Sequence, residues 1–323
     1  MGRLISEKYA AWQAECEARF QQLKKNEEEL NRIFIDIYGL QDELTPNVAD
    51  KDVTVHRVFT SRDDVPESMK GSNYVRTMRD EIVSLISYAV GCMFGRYSLD
   101  VEGLAYAGGE WDGSKYKTFL PDEDNCIPVT DEEYFKDDIV GRFVEFVRTV
   151  YGSDTLEENL DFVANALAGK GSTSREVIRN YFLNGFIKDH IKTYQKRPIY
   201  WMFDSGKQNG FKALVYMHRW NADTTGNVRV EYLHRVQRVY ESEIARMQDT
   251  IDNSSNAREV SAAQKRKDKL TKQLKESKDY DAKIAHLALS RIDIDLDDGV
   301  KVNYEKVQTG QDGKKIEILA PIK

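Results

Sequence analysis

The segment KRPIYWMFDSGKQNGFKALVYMHRW, residues 196–220, places two aromatic-rich runs on either side of a polar turn. The second run, FKALVYM, alternates in the manner of a strand, and Asn209-Gly210 tolerates the positive φ angles of tight hairpin turns. We therefore predict a β-hairpin turned at Asn209-Gly210. Its aromatic side chains are interpreted as core: Tyr200, Trp201, Phe203, Phe211 and Tyr216.

The turn also carries Lys207 directly after Gly206, which raises the question of a phosphate-binding loop. The P-loop pattern G-x-x-x-x-G-K-[ST] lies between a strand and a helix. Here Lys207 is followed by Gln208, and the next element resembles a strand. The sequence therefore does not predict a nucleotide site at this turn.

Apolar residues recurring at three- and four-residue steps predict helices around the hairpin. We predict a long first helix ending at Gly39, further helices at 74–94, 139–151, 156–168 and 174–194, and two helices joined by a short polar turn within 227–288. Asn256 is the predicted N-cap of the second arm, with Glu259 completing a capping box. Residues 291–323 are predicted to form short strands.

The fold class that follows is α+β and predominantly helical. A mixed central domain contains the basic β-hairpin, and a long antiparallel helical hairpin and a short β tail follow it. The predicted divisions are an N-terminal helical segment at 1–50, the mixed α/β central domain at 51–222, the helical hairpin at 223–290 and the β tail at 291–323.

Charge is segregated along the chain, although the net charge of the 323 residues is −7. Eight carboxylates lie between Asp122 and Asp138, where Lys136 is the single base. Between Arg175 and Arg219 there are nine basic residues and three acidic ones. Residues 258–278 are also rich in Lys and Arg. A field is set by local charge, so this protein can present a basic face to DNA or to an acidic partner. Alternatively, both runs are simply solvated faces.

The sequence predicts no metal site, because its five histidines are scattered without H-x-H or H-E-x-x-H spacing. No catalytic serine motif or dinucleotide-binding glycine motif is found either. Its three cysteines lie far apart, which suits a reducing cytoplasm, and no apolar run reaches the roughly 20 residues of a membrane span. We therefore expect a cytoplasmic protein without membrane association.

Four stretches, at 26–46, 70–112, 192–219 and 294–308, together resemble the C-terminal region of the PglX family, the adenine-specific DNA methyltransferases of BREX phage-defence systems. The catalytic half of that family has a glycine-rich S-adenosylmethionine loop and an Asn-Pro-Pro-Tyr type motif that holds the flipped adenine. Neither is present in this sequence. The resemblance therefore implies a fragment, or a separately encoded C-terminal portion, that positions DNA and transfers no methyl group.

The resemblance implies double-stranded DNA and the methyltransferase catalytic half as partners, with other BREX proteins or phage inhibitors as further candidates. It implies no cofactor in this chain and S-adenosylmethionine in the catalytic half. Phosphate contacts by Lys and Arg position such a protein, and amide contacts to base edges specify sequence. The expected DNA-binding residues are Lys192, Lys196, Arg197, Lys207, Gln208, Asn209, Lys212, Arg219, Arg175 and Arg179.

Two other functions remain open at this point. The chain could be an interaction scaffold that docks the methyltransferase onto other defence subunits through its helical hairpin and acidic run. It could also be an acidic inhibitor that mimics DNA, with the carboxylates of 122–138 standing in for phosphates.

Overall fold

The computed structural model describes residues Leu4 to Ile322, in which helices predominate over strands. The α-helices are α1 (Ile5–Tyr38), α2 (Met78–Met93), α3 (Ile139–Tyr151), α4 (Leu156–Leu167), α5 (Ser174–Asn184), α6 (Phe186–Thr193), α7 (Thr224–Asn227), α8 (His234–Asn253), α9 (Ala257–Ser290) and α10 (Val300–Lys306). The strands are β1 (Arg57–Phe59), β2 (Val75–Thr77), β3 (Ile127–Pro128), β4 (Tyr200–Asp204) and β5 (Lys212–Tyr216). The predicted fold class, α+β and predominantly helical, is confirmed.

The chain divides into two compact units. The first contains the residues up to Ile86 together with Val150–Ala168, and the second contains Ser87–Thr149 and the residues from Gly169 onward. The four-part division drawn from the sequence stays a prediction. No helix between Leu4 and Ile322 combines the length and the apolar character needed to cross a membrane.

Unit 1 is organised around α1 and the parallel pair β1–β2. Phe20 of α1 packs with Val53 and Met69 in a fully buried cluster. The start of α1 is tied to α4, because the Ile5 backbone N–H donates to Asn159 Oδ1 at 2.7 Å. As predicted, α1 ends at Gly39, whose φ of 67° lies in the left-handed region.

Unit 2 contains the antiparallel sheet β3-β5-β4, in which Tyr200 pairs with Tyr216 and Asp204 pairs with Lys212. All five hairpin aromatics interpreted as core are buried. Helix α6 is fixed to the start of β4 by His190, whose Nε2 accepts the N–H groups of Ile199 and Tyr200 at 3.1 and 3.0 Å. Burial, aided by the charge of Arg96, lowers the pKa of His190 to about 3, so the neutral ring is available as an acceptor.

Helices α8 and α9 are joined by the short turn at 254–256 and run antiparallel. Gln237 Nε2 donates to the carbonyl of Ser277 at 3.1 Å, and Lys278 pairs with Glu241 at 2.6 Å. Asn256 caps α9 by accepting the Arg258 and Glu259 N–H groups. Glu259 does not complete the predicted box with the Asn256 N–H; its carboxylate accepts the Ser254 hydroxyl at 2.7 Å, and the Ser254 hydroxyl oxygen in turn accepts the Asn256 N–H at 3.1 Å.

Several expectations differ from the structure. The tail residues Val300–Lys306 form α10 rather than a strand, and β pairing there is limited, among residues 4–322, to the isolated bridges Phe203–Leu319 and Thr309–Lys315. The predicted helix at 174–194 is interrupted at Gly185, where the ring of Tyr181 lies too close for a β-carbon. Helix α8 is preceded by a π-helical turn at Val228–Leu233, in continuity with α7.

Candidate nucleic-acid interface

The connection between β4 and β5 is a seven-residue loop at 205–211, not the two-residue turn that Asn209-Gly210 predicts. Asn209 has the expected positive φ of 54°, whereas Gly210 does not adopt a left-handed conformation. The loop closes on itself, because the Ser205 N–H donates to the Phe211 carbonyl at 3.0 Å and the Phe211 N–H donates to Ser205 Oγ at 2.7 Å.

The 205–211 loop does bind an anionic group, and that group is a side chain of the protein itself. The carboxylate of Glu276 on α9 accepts hydrogen bonds from Ser205 Oγ at 2.8 Å, from the Gln208 N–H at 2.8 Å and from the Gly210 N–H at 3.0 Å. Charge-assisted bonds of this kind are the stronger class of hydrogen bond. The 205–211 loop is therefore held in one conformation against α9.

The glycine at 210 is needed for the close approach of the loop to α9. A β-carbon on Gly210 would lie 2.5 Å from the carbonyl oxygen of Gln273. Gly206 is required for a different reason. Its backbone φ of 137° is a conformation that residues with a side chain adopt only with strain. With its backbone fixed on the helix, the loop exposes the side chains of Lys207 and Gln208 to solvent.

A stripe of lysines on α9 leads to this loop. Lys265, Lys269 and Lys272 occupy positions i, i+4 and i+7 of the stripe, and Glu276 occupies i+11, so all four lie on one face of the helix. Lys269 pairs with Asp131. The exposed residues Lys207, Lys265 and Lys272 take part in none of the ion pairs found among residues 4–322. We call Lys207, Gln208, Lys265 and Lys272 the loop–α9 surface.

The other bases of α9 are partly engaged within the protein. Arg266 and Lys269 bind the acidic segment through Asp131, and Arg266 also pairs with Glu132 at 2.8 Å. Burial would raise the pKa of Asp131, but its bonds to Lys269 and Arg266 outweigh that effect and lower it. Part of the acidic surface expected as a partner for α9 is therefore supplied by this chain.

Lys212, one of the expected DNA-binding residues, is buried inside the protein. Its Nζ donates to the carbonyl of Leu183 at 3.0 Å and lies 3.4 Å from Asp204 Oδ2. All five residues of β5 are buried, and the Lys212 side chain extends to the end of α5. An ammonium in this position has no access to a phosphate, so Lys212 does not meet the requirement for a DNA-binding residue.

Two arginines of the expected set also have internal roles. Arg179 makes a bidentate pair with the fully buried Asp138, at 2.7 and 2.8 Å, and donates to the Thr130 carbonyl. Arg219 donates to the carbonyls of Asp122 at 2.7 Å and Glu123 at 2.9 Å, and its guanidinium lies 4.5 Å from the centre of the Trp111 ring. Both guanidinium groups stabilise the fold at these positions.

The remaining expected residues are exposed but lie elsewhere. Lys192, Lys196 and Arg197 precede β4, whereas the 205–211 loop follows it, and a five-residue strand separates its ends by roughly 16 Å. Arg175 lies in the first turn of α5. The structure thus does not gather the ten expected residues into one surface; Lys207, Gln208 and Asn209 share the 205–211 loop, and Asn209 is half-buried there.

Half of the eight carboxylates at 122–138 are at least partly buried, whereas Glu123, Asp124, Glu132 and Glu133 are exposed. The Tyr232 hydroxyl lies within hydrogen-bond distance of two carboxylates, 2.9 Å from Asp124 Oδ2 and 2.7 Å from Asp137 Oδ2, and its single proton is shared between them. Burial, with Asp124 as the next cause, raises the pKa of Asp122 to about 7. Burial likewise raises the pKa of Asp137. Between Leu4 and Ile322, no group of three or more His, Cys, Asp or Glu side chains is arranged to hold a metal ion.

Comparison with known proteins identifies relatives over nearly the whole chain, although no family model matches it. The adenine-specific methyltransferase PglX of Lacticaseibacillus casei (strain Zhang) is 48% identical over 318 residues, which are 98% of this chain and 24% of that protein. The adenine-specific methyltransferase BrxX of Escherichia coli O9:H4 (strain HS) is 39% identical over 319 residues, 94% of this chain and 26% of that protein. The resemblance to PglX methyltransferases is confirmed, and the chain spans about a quarter of the length of these relatives.

Proposed function

We propose that this chain grips double-stranded DNA as a non-catalytic part of an adenine-specific DNA methyltransferase in a BREX phage-defence system. The similarity to PglX and BrxX over nearly the whole chain supports this context. The observation that carries the DNA-binding role is the loop–α9 surface, in which Glu276 fixes Lys207 and Gln208 beside the lysine stripe.

A methyltransferase that flips its target base must hold the duplex on both sides of that base. Lysines supply the phosphate contacts that position the protein, and they need to be exposed and unpaired to do so. Lys207, Lys265 and Lys272 meet both conditions among the described residues. Gln208 adds an amide that can pair with the N6 and N7 edge of adenine, a contact worth about 1–3 kcal/mol of discrimination.

Methyl transfer is assigned to other parts of the longer enzyme. This sequence contains no Pro-Pro dipeptide and no glycine-rich cofactor motif. We therefore propose that S-adenosylmethionine binds outside this chain, and that the catalytic part of the enzyme is its partner. Isothermal titration calorimetry of this chain with S-adenosylmethionine should give no heat of binding; micromolar affinity would contradict the assignment.

The DNA-binding role is tested by fluorescence anisotropy with labelled duplexes over a series of salt concentrations. Changing Lys207 and Lys272 together to Glu should weaken binding to all duplexes and reduce the salt slope by about two units, because each lost phosphate contact removes about one. The control is the pair Lys25→Glu and Lys301→Glu, which makes the same charge change at exposed lysines on α1 and α10. If both double variants behave alike, the loop–α9 surface does not bind DNA.

Of the two other functions, the scaffold role is favoured by one observation, an exposed apolar face on α1 that is described below. The DNA-mimic role loses support at three of its eight carboxylates, because Asp131, Glu132 and Asp138 form ion pairs within the chain. Carboxylates bound in this way do not present a row of phosphate-like charges to a partner.

A further inference from the structure

The last two turns of α1 carry an exposed apolar face. Leu30, Ile33, Phe34, Ile37 and Tyr38 are between 45% and 70% exposed. They occupy positions i, i+3, i+4, i+7 and i+8, so they are neighbours on one side of the helix. We call this set the α1 apolar face. Soluble monomers rarely expose contiguous apolar patches larger than roughly a few hundred Å², and larger ones mark interaction sites.

The opposite side of the same helical turns is packed. Ile35 is buried, Asn31 Nδ2 donates to the Pro46 carbonyl at 3.1 Å, and Glu28 Oε1 accepts the Val48 N–H at 3.2 Å. The segment after the helix therefore folds back along one side of α1 and holds its end in place. The exposed apolar face is thus a defined surface of a fixed helix.

The rim of this face is acidic. Glu29 and Asp36 are exposed beside it on α1, and Asp42 and Glu43 are exposed in the turn that follows the helix. Arg32, an exposed base on the same helix, is paired with Glu29. Two copies of the face placed together would bring these acidic rims into contact, which disfavours self-association. The rim instead matches an apolar stripe flanked by Lys or Arg on a different surface.

We propose that the α1 apolar face docks onto the remainder of the methyltransferase polypeptide, against an apolar stripe with basic flanks. This inference rests on the proposal that the chain works as part of such an enzyme. The match to PglX covers 98% of this chain, and therefore includes the α1 apolar face, but only 24% of PglX. In that protein, the equivalent helix belongs to a polypeptide with ample further surface to cover it, already tethered at a high effective concentration.

Hydroxyl-radical footprinting tests the proposal without DNA. The side chains at Phe34, Ile37 and Tyr38 should react readily in this chain alone. In a full-length chimera in which this chain replaces the matching quarter of the Lacticaseibacillus casei relative, the same side chains should lose most of that reactivity. Leu289, which is 81% exposed and belongs to no proposed surface, is the internal control and should react alike in both proteins.

A second measurement uses the same full-length chimera. Phe34→Asp should leave the thermal midpoint of this chain alone unchanged and lower that of the chimera, whereas Leu289→Asp should do neither. Equal reactivity in the two proteins would overturn the proposal. So would a chain that sediments as a dimer and becomes monomeric with Phe34→Asp, because the occupant would then be a second copy. DNA affinity enters neither readout, so failure of the DNA-binding proposal remains separately visible.

Discussion

Glu276 accepts a hydrogen bond from the backbone N–H of Gly210 at 3.0 Å, although 66 residues separate them in sequence. Removing its charge weakens three hydrogen bonds at once. We expect Glu276→Gln to lower the free energy of unfolding by about 1–3 kcal/mol in urea titrations. Glu241→Gln, which alters the exposed pair with Lys278, should cost about 0–1 kcal/mol. Equal costs for the two variants would mean that the loop contributes nothing through Glu276.

A methyl group at residue 210 should also destabilise the protein, because it would meet the Gln273 carbonyl at 2.5 Å. We expect Gly210→Ala to cost roughly 1–3 kcal/mol of unfolding free energy, the usual penalty for overpacking. Gly226 is the matched control, since a β-carbon there has no neighbour within 4 Å. Thermal unfolding in which Gly210→Ala is as stable as Gly226→Ala would show that the loop can move away from α9.

Reversing the charge of Lys212 should unfold the protein rather than affect DNA binding selectively. The variant Lys212→Glu places a carboxylate beside Asp204 and the Leu183 carbonyl, at an expected cost of about 3–5 kcal/mol. Lys207→Glu, at an exposed position on the loop that precedes β5, should stay within about 0.5 kcal/mol of the wild type. Circular dichroism melts of both variants check this, and a Lys212→Glu protein as stable as Lys207→Glu would contradict it.

The raised pKa of Asp122 predicts a specific dependence of stability on pH. Burial, then the neighbouring Asp124, raises this pKa to about 7, whereas the unfolded chain titrates near about 4. Between these values the folded state holds a proton that the unfolded state has lost, so this group makes stability fall as pH rises. We expect Asp122→Asn to match the wild type near pH 4 and to exceed it at pH 8 in urea titrations.

The asparagine retains an oxygen to accept the Cys126 N–H, which Asp122 accepts at 3.0 Å, so the substitution isolates the titration. Asp100 has a pKa that is shifted in the opposite direction, so this group makes stability rise with pH. Hydrogen bonds from Thr118 and Lys117 lower its pKa to about 2, so its contribution is present above about pH 4 and is lost as pH falls. Parallel pH profiles for the wild type and Asp122→Asn would show that Asp122 is not the group responsible.

The helices follow the apolar periodicity closely where one face meets one core, as for α3, which spans the predicted residues 139–151. The packing of α9 was less predictable. The apolar residue Leu274 of α9 is only half-buried, whereas the polar residues Gln273 and Ser277 are fully buried. They are buried because the 205–211 loop lies against this part of α9, a contact between distant segments that helical periodicity does not encode.

Formal charge alone does not show which of the expected DNA-binding residues are exposed and which make internal contacts that stabilise the fold. Arg179 and Lys212 carry the same formal charge as Lys207, yet their partners Asp138 and Leu183 lie on other elements. Lys272 lies in the basic stretch at 258–278, but nothing in the sequence connects it to the β-hairpin. The signal that would have linked them is Glu276, an acid that follows Lys265, Lys269 and Lys272 on one face of α9, opposite a glycine-containing loop.

The hydrogen bonds between the 205–211 loop and Glu276 also determine the order in which parts of the protein fold. The β4–β5 hairpin is synthesised well before residue 276, so its three hydrogen-bond donors first have only water to bind. Contacts between residues far apart in sequence form late, because the intervening chain must be closed into a loop first. A growing polypeptide on the ribosome therefore acquires the proposed DNA grip only after α9 has emerged and packed.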